Sequence, residues 1–290
     1  KKCIESILEQ DYNNYQIIIC YDKVESLDYL NDYKENRKIQ YFYVEVESKE
    51  KYIIPKDLDW IPDVIGNILF FNENNLYKAQ NSQLPKFSQS IRATGEITQL
   101  IPINAFKTIL FSQDQQQICV LDNTFSINGE CIDLEDYNIQ NATHCAVSSR
   151  SNMLYVYDTF NSTLYLIDLL QKLVIQSVLN VNALVAIELK LKSCREHNND
   201  FYLLTENNTV YVFDMFLNLK GQLEQPYTNL NFWQDYILTQ KEDTIHFNSL
   251  KNKEMNYSIA APFAETFKVE GNSFYFSNQG VITTYELKSE

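Results

Sequence analysis

The chain has 290 residues and a formal net charge of −14 at pH 7. A polypeptide of this length forms one large domain or two ordinary ones, and it buries enough surface to fold without disulfide bonds or structural metal ions. The negative charge repels a phosphate backbone, and no basic run with interleaved aromatic residues offsets it, so composition disfavours nucleic-acid binding. No stretch reaches 18 apolar residues, which excludes a membrane-spanning helix in the sequence given.

The chain opens with Lys1-Lys2-Cys3-Ile4, which is neither an initiator methionine nor the start of a signal peptide. We therefore expect a fragment or a processed product. The six cysteines include no C-x-x-C pair and no zinc-like spacing. Cys119 falls inside an apolar run, where a cysteine usually serves as a small buried hydrophobe.

The first 50 residues combine helical and strand patterns. Apolar residues at helical spacing predict helices over 2–10 and 26–34, and apolar runs predict strands over 15–20 and 39–46. Helix, strand, helix and strand in this order favour parallel α/β pairing.

This opening carries a resemblance. The run KCIESILEQDY (residues 2–12), followed by NYQIII (residues 14–19), resembles the beginning of family 2 glycosyltransferases, which have the GT-A fold. The resemblance implies a nucleotide-sugar domain in residues 1–52, truncated because its first strand is absent. Where the family has two aspartates followed by Gly-Ser, this chain has Tyr21-Asp22-Lys23-Val24, so only Asp22 corresponds to a nucleotide contact.

The same family binds a divalent cation through a D-x-D motif. A formal D-x-D occurs here at Asp57 and Asp59, but it lies too close to the preceding strand to leave room for the family's intervening helix. We expect a polar connector there and no metal site. UDP-sugar and Mn²⁺ or Mg²⁺ would be cofactors only if the glycosyltransferase interpretation holds.

From residue 53 onward the chain is a succession of β-hairpins. Six prominent apolar strands follow one another at a mean spacing near 41 residues, the length of a four-stranded propeller blade. The strands centre on Leu69, Leu110, Leu154, Tyr202, Ile237 and Tyr275. The sequence therefore predicts a mainly β protein, with a β-propeller of about six blades over residues 53–290.

Three aspartates mark the central repeats. Asp122, Asp168 and Asp214 follow one another at equal intervals of 46 residues, each at the end of an apolar strand. A carboxylate at such a place can accept hydrogen bonds from the backbone of the next turn and stop the strand. We predict this local role for all three.

A second resemblance covers most of residues 55–288. The run NMLYVYD (residues 152–158), with ILF (residues 109–111) and VLDN (residues 120–123), resembles poorly characterised propeller proteins exported by Bacteroidetes. The resemblance implies a periplasmic or cell-surface location, whereas the glycosyltransferase resemblance would imply the cytoplasm.

Few residues suggest chemistry in the propeller. The three histidines, His144, His197 and His246, fall in three different expected blades, which disfavours a shared site. The polar stretch 191–199 interrupts the blade rhythm, and we predict a recognition loop there, with Arg195, Glu196 and His197 as partner-binding residues.

Three interpretations remain open. The first is a non-catalytic propeller scaffold that binds a protein or glycan partner, and the absence of a recognisable catalytic set favours it. The second is a family 2 glycosyltransferase of which only an incomplete N-terminal part is present. The third is a fusion or gene-model artefact with a junction near residues 48 to 57.

Overall fold

The computed structural model describes residues 17–21, 39–56, 58–79, 87–90, 94–252 and 256–288. In this part of the chain the regular structure is almost entirely β-strand, arranged in six sheets. Five sheets each use four consecutive strands, and the sixth joins three C-terminal strands to two N-terminal ones. The protein is therefore a six-bladed β-propeller, as the strand spacing predicts.

The strands of each blade follow in chain order from the axis outward. Blade one contains β3 (Asp59–Pro62), β4 (Ile68–Phe71), β5 (Asn75–Ala79) and β6 (Phe87–Ser90). Blade two contains β7 (Gln99–Asn104), β8 (Lys107–Ser112), β9 (Gln117–Asp122) and β10 (Ile132–Asp133). Blade three contains β11 (Ala142–Val147), β12 (Met153–Asp158), β13 (Thr163–Asp168) and β14 (Leu173–Val178).

The second half of the ring repeats the arrangement. Blade four contains β15 (Leu191–His197), β16 (Asp200–Thr205), β17 (Val210–Phe213) and β18 (Leu219–Gln222). Blade five contains β19 (Asn231–Trp233), β20 (Tyr236–Lys241), β21 (Thr244–Ser249) and β22 (Tyr257–Ala260). Blade six contains β23 (Thr266–Glu270), β24 (Ser273–Asn278) and β25 (Val281–Lys288), followed by β2 (Ile39–Ile53) and β1 (Ile17–Tyr21).

The six predicted strand centres lie in β4, β8, β12, β16, β20 and β24, the second strand of every blade. Each of these strands pairs with the third strand of its own blade as an antiparallel hairpin, as predicted. The second strands are apolar because neighbouring blades cover both of their faces, and a strand buried on both faces has no polar side. This is the physical basis of the sequence rhythm.

The first strands surround the axis. In one part of the ring β3 contacts β7, β7 contacts β11 and β11 contacts β15. In the other part β19 contacts β23, and β23 contacts β3. The last of these contacts brings blade six against blade one. The ring is therefore closed between its last blade and its first.

Closure depends on β2, which supplies the fourth strand of blade six. Residues 50–53 pair with 281–284 of β25 and residues 43–45 pair with 286–288, with a bulge between the two ladders. The predicted division between residues 1–52 and 53–290 thus falls inside a strand of the propeller. The strand also extends into the range expected for a fusion junction, residues 48 to 57, and ends within it at Ile53.

The described part of the N-terminal segment is limited to strands. β1 pairs with β2 in parallel, which confirms the predicted parallel pairing. The helices predicted over 2–10 and 26–34 lie outside the described residues, and the GT-A-like α/β segment is not shown. Within the described ranges, no helix has the length and apolar character needed to span a bilayer.

Apolar packing reinforces the closure. Tyr52 of β2 and Ile282 of β25 are buried in one cluster with Tyr275 of β24 and with Trp60 and Ile68 of blade one. The hydroxyl of Tyr52 also donates to the carbonyl of Gly66, 3.1 Å away. The N-terminal strand therefore joins the last blade to the first through both backbone and core.

The three evenly spaced aspartates cap turns. One carboxylate oxygen of Asp122 accepts from the backbone N–H groups of Thr124 and Ser126 at 2.8 and 3.0 Å. Asp168 accepts from the backbone N–H groups of Leu170 and Gln171 at 2.8 Å. Asp214 accepts from those of Phe216 and Asn218, also at 2.8 Å. Their predicted local role is confirmed.

The interpretation of Cys119 needs a correction. Cys119 is fully buried, but it forms a disulfide with Cys131, 12 residues later. The bond ties β9 to the residue before β10. The isolated apolar context of Cys119 concealed this pairing, because Cys131 lies in a polar connection that the sequence pattern does not assign to any strand.

The turn at Gly280 provides a test of closure. Gly280 has φ +80° and its carbonyl accepts from the N–H of Ile54 at 2.8 Å, while an added Cβ would lie 2.5 Å from the Ile54 carbonyl oxygen. Gly129 has φ +86° with nothing within 4 Å of such a Cβ. We expect Gly129→Ala to cost about 1 kcal/mol of backbone strain and Gly280→Ala about 1–3 kcal/mol more.

The measurement is the free energy of unfolding of both variants by denaturant titration. Equal losses in the two variants would contradict the close approach of Ile54, the residue after β2, to this turn.

Candidate functional site around blade four

The stretch predicted as a recognition loop is instead a strand. Residues 191–197 form β15, the first strand of blade four, which pairs along its length with β16. The chain lengthens before it, in the connection over residues 179–190 that contains the short helix Val181–Val185. The loop interpretation was wrong because a strand beside the axis can be polar when its side chains find partners in other blades.

Glu196 bonds to blade three. Its carboxylate accepts from the hydroxyl of Ser148 at 2.7 Å and from the backbone N–H of Ser149 at 2.9 Å. Ser148 is buried in the segment that follows β11. Two hydrogen bonds to a charged acceptor fix the orientation of this carboxylate.

His197 points to the opposite side, as expected for the next residue of a strand. Its ring stacks on Phe232 of blade five with centroids 4.6 Å apart, and its Nε2 bonds to the carbonyl of Gln234. Burial lowers the pKa of His197. The neutral ring therefore predominates at pH 7 and serves as a contact between blades four and five.

Arg195 reaches past blade five to blade six. Its guanidinium donates to the carboxylate of Glu270 at 3.0 Å and to the carbonyl of Val269 at 3.4 Å, both in β23. About a third of each charged side chain remains exposed. The three predicted partner-binding residues thus connect four blades around the axis, and their role in binding a partner remains a prediction.

A lysine lies between blades six and one. The ammonium of Lys268 is 4.7 Å from the ring centroid of Trp60 and bonds to the Trp60 carbonyl. Burial lowers the pKa of Lys268 to about 8, and the negative charge of Asp59 partly opposes this. Asp59 begins β3, so the structure places it at a blade boundary, whereas Asp57 and Asp22 lie outside the described residues.

The remaining titratable candidates are dispersed or buried. His144, His197 and His246 lie in blades three, four and five, as predicted. Burial raises the pKa of the Cys145 thiol and raises that of Cys194 to about 12, so both thiols are protonated and unreactive at neutral pH. Within the described ranges, no three His, Cys, Asp or Glu side chains are grouped to hold a metal ion.

A cavity of about 390 Å³ opens between blades four and five. Its apolar walls belong to the core shared by these blades and include Tyr202, Val212 and Leu250. Its mouth carries two ion pairs, Asp200 with Lys220 at 2.6 Å and Asp235 with Lys251 at 2.8 Å. The combination of apolar walls and charged rim suits a small amphipathic group.

Exposed apolar side chains also occur on blades three and four. We call the set Leu170, Leu173, Ile175 and Phe216 the apolar surface; these side chains are 76, 54, 45 and 60% exposed. Sequence patterns did not reveal it, because alternation assigns the apolar residues of a strand to a core. A residue such as Leu173 is recognisable as exposed only when the neighbouring blade is seen not to cover it.

The apolar surface is held in place by polar contacts. Gln176 of β14 donates to the carbonyl of Phe216, and Arg150 donates to the carbonyl of Met215 at 3.1 Å. Asp214 fixes the same turn by accepting from the N–H of Phe216 at 2.8 Å. The turn that carries Phe216 is therefore ordered although its side chain is exposed.

These features define a closed six-bladed propeller with polar ties around its axis and an apolar surface on one side. No protein-family model matches the chain, and a search of curated proteins gives no match. Among solved structures, it is similar to the Pan2 WD40 domain of Neurospora crassa, with TM-score 0.54 and 10% identity over 84% of this chain and 98% of that one.

Two further structures show the same likeness. BBS1N in complex with ARL6DN gives TM-score 0.52 and 12% identity, covering 81% of this chain and 78% of that one. The Cps50 (Swd1) β-propeller domain of Myceliophteria thermophila gives TM-score 0.51 and 11% identity, covering 79% of this chain and 82% of that one. At such identities the likeness shows the propeller fold alone.

Lys268 gives the stability of the propeller a pH dependence. Its pKa of about 8 in the folded chain lies below the ordinary value of 10.5, so between these values the unfolded chain binds more protons. Stability therefore rises with pH in this window. We expect the wild type to gain on the order of 1–2 kcal/mol relative to Lys268→Met between pH 7.5 and 9.5.

Denaturant titrations at a series of pH values measure this difference. Lys251→Met, which removes a mostly exposed lysine, serves as the control and should follow the wild type. Parallel pH profiles for the wild type and Lys268→Met would contradict the desolvation of this ammonium.

Proposed function

We propose that this chain is a non-catalytic interaction module that binds a protein partner through the apolar surface of blades three and four. The observation that carries the proposal is the exposure of Leu170, Leu173, Ile175 and Phe216 on an ordered part of the propeller. Exposed apolar groups gathered on an ordered surface mark sites of protein association. Phe216 has the character of an interface anchor, because an aromatic side chain supplies much contact area at low entropic cost.

The shape of blade two supports this proposal. Its fourth strand, β10, contains two residues, whereas β14 of blade three contains six. Leu173 and Ile175 thus belong to a longer fourth strand than that of blade two, and both are exposed. A partner that covers β14 would bury apolar area that the neighbouring blade does not bury.

A protein partner is favoured over a glycan. Three of the four side chains of the apolar surface, Leu170, Leu173 and Ile175, are aliphatic and offer no hydrogen-bond partner to the hydroxyl groups of a sugar. The net charge of −14 also favours a basic partner, since it increases the rate of encounter with positively charged surfaces. BBS1N offers a precedent in the same fold, because it is seen in complex with ARL6DN.

Phe216 and Phe263 make a matched pair for testing the proposal. Both are 60% exposed, but Phe263 lies between blades five and six, away from the apolar surface. We expect Phe216→Ser to weaken partner binding about 30-fold, the effect of losing about 2 kcal/mol at an interface anchor. Phe263→Ser should leave affinity unchanged.

The measurement is affinity capture from the source organism's extract, followed by titration of each captured protein against the wild type and both variants. A partner that binds the wild type and Phe216→Ser equally, or that is lost with Phe263→Ser alone, would contradict the proposed surface.

The compartment implied by the Bacteroidetes resemblance also remains a proposal. The disulfide between Cys119 and Cys131 supports it, because structural disulfides persist in oxidising compartments such as the periplasm or the cell exterior. A surface location would place the apolar surface in contact with other exported proteins.

The second candidate function is the glycosyltransferase-like role of residues 1–52. The parallel pairing of β1 with β2 favours it, since the family resemblance implies parallel strands in this segment. Titration of the purified chain with UDP and Mn²⁺ tests this role, which predicts saturable micromolar binding that is lost in Asp22→Ala. The interaction-module proposal predicts no such binding.

A further inference from the structure

The cavity between blades four and five differs from the apolar surface in carrying charge. It opens at the end of the propeller where the turn after β15 and the turn after β19 lie side by side. Asp200 begins β16 directly after the first turn and Asp235 lies on the second, and Lys220 and Lys251 approach them from outer parts of the two blades. The site therefore presents two carboxylates and two ammonium groups above an apolar floor.

The carboxylates are the fixed charges of this site. Asp235 also accepts from the side-chain amide of Asn198 at 3.2 Å, which bridges the two blades. The side chains of Asp200 and Asp235 are 24 and 42% exposed. A short aspartate side chain on a hairpin turn has few rotamers, so its position changes little when a ligand arrives.

The ammonium groups are the displaceable charges. The side chains of Lys220 and Lys251 are 52 and 74% exposed and end long, flexible stems. An exposed ion pair is weak because water screens its charges, so a better-fitting cation can replace either lysine at its carboxylate. The released ammonium remains hydrated at the rim, which leaves a negative site for a ligand.

Apolar walls select the rest of the ligand. Tyr202 and Val212 are buried in the inner wall, and Leu250 lines the mouth. A ligand that fits must combine an apolar stem with a terminal cation. An arginine side chain meets both needs, because its methylene groups pack on apolar surface and its planar guanidinium forms paired hydrogen bonds with carboxylates.

We infer that this cavity binds an arginine side chain of a peptide or protein, with the guanidinium at Asp200 and Asp235 and the stem against Tyr202 and Leu250. The net charge of −14 raises the local concentration of such cations. The cavity is distinct from the apolar surface, so this inference can be tested independently of the protein-binding role proposed for that surface.

Short peptides test this site directly. The probe is a capped pentapeptide, Gly-Leu-Arg-Leu-Gly, titrated by calorimetry at low ionic strength against the full chain. Matched peptides replace its arginine by lysine or by citrulline, which keeps the shape of arginine but carries no charge. We expect saturable 1:1 binding of the arginine peptide, with at least tenfold weaker binding of each matched peptide.

Variants of the carboxylates locate the binding. Asp200→Asn and Asp235→Asn should each weaken the arginine peptide at least tenfold, and Lys251→Met should tighten it several-fold because a competing cation is removed. Asp243→Asn is the control, since it removes the same charge from an exposed turn of blade five outside the cavity. Thermal unfolding confirms that each variant remains folded before it is titrated.

Several results would overturn the inference. Absence of saturable binding, or equal binding of the citrulline peptide, would remove the guanidinium site. Equal binding of the lysine peptide would show a site for cations in general. Equal weakening by Asp243→Asn and Asp235→Asn would attribute binding to net charge alone. Phe216→Ser leaves this cavity intact, so its effect on a protein partner is separable from all of these outcomes.

Discussion

The pairing of β2 with β25 is the interaction on which the rest of the structure depends. A propeller is built from one continuous chain, and a strand contributed to the last blade from near the start of the chain holds that blade against the first. Here β2 enters the sheet as the neighbour of β25 and pairs with it on both sides of a bulge. Tyr52 then extends the same strand into the core shared with blade one. Backbone ladder and apolar packing thus act at the same point.

Closure explains the polar character of the strands around the axis. Once the ring is complete, residues of β15 face partners that are distant in sequence, including Ser148 before it and Glu270 far after it. Arg195, Glu196 and His197 satisfy their polar groups by bonding to blades three, five and six. Polar bonds between blades therefore hold the ring together around its axis.

The apolar surface and the cavity between blades four and five both occur where neighbouring blades do not cover each other completely. Side chains of β14, at the outer edge of blade three, are exposed, whereas blades four and five leave a gap that opens between their turns. Both sites involve blade four at the same end of the propeller, since the turn carrying Phe216 leads directly into β18 and Lys220. A partner with an arginine near an apolar segment could engage both.

Much of this fold could be predicted from the sequence. The hairpins of second and third strands can be predicted because their residues are apolar on both faces and their turns are rich in asparagine. The role of Asp122 can also be predicted, because it depends only on the turn that follows it in the chain. The first strands were harder to identify: β15 looks like a loop because its polar residues are satisfied only by blades that the sequence cannot place.

The role of β2 and the exposure of Phe216 were hidden for a related reason, since both depend on contacts between distant segments. The disulfide of Cys119 depends on Cys131 in the same way, although the separation is short. The residue pattern within a segment predicts the strand that the segment forms. The closure of the ring, the apolar surface and the cavity between blades four and five depend instead on contacts between segments.

The most direct test compares two truncated chains by thermal unfolding. One lacks residues 1–38 and keeps β2, and the other lacks residues 1–53 and therefore leaves blade six without its fourth strand. Closure by β2 predicts that the first chain unfolds cooperatively near the temperature of the full chain. It also predicts that the second unfolds at a much lower temperature, with backbone amides of β25 exchanging rapidly. Equal unfolding temperatures and equal protection of β25 in the two chains would contradict the account.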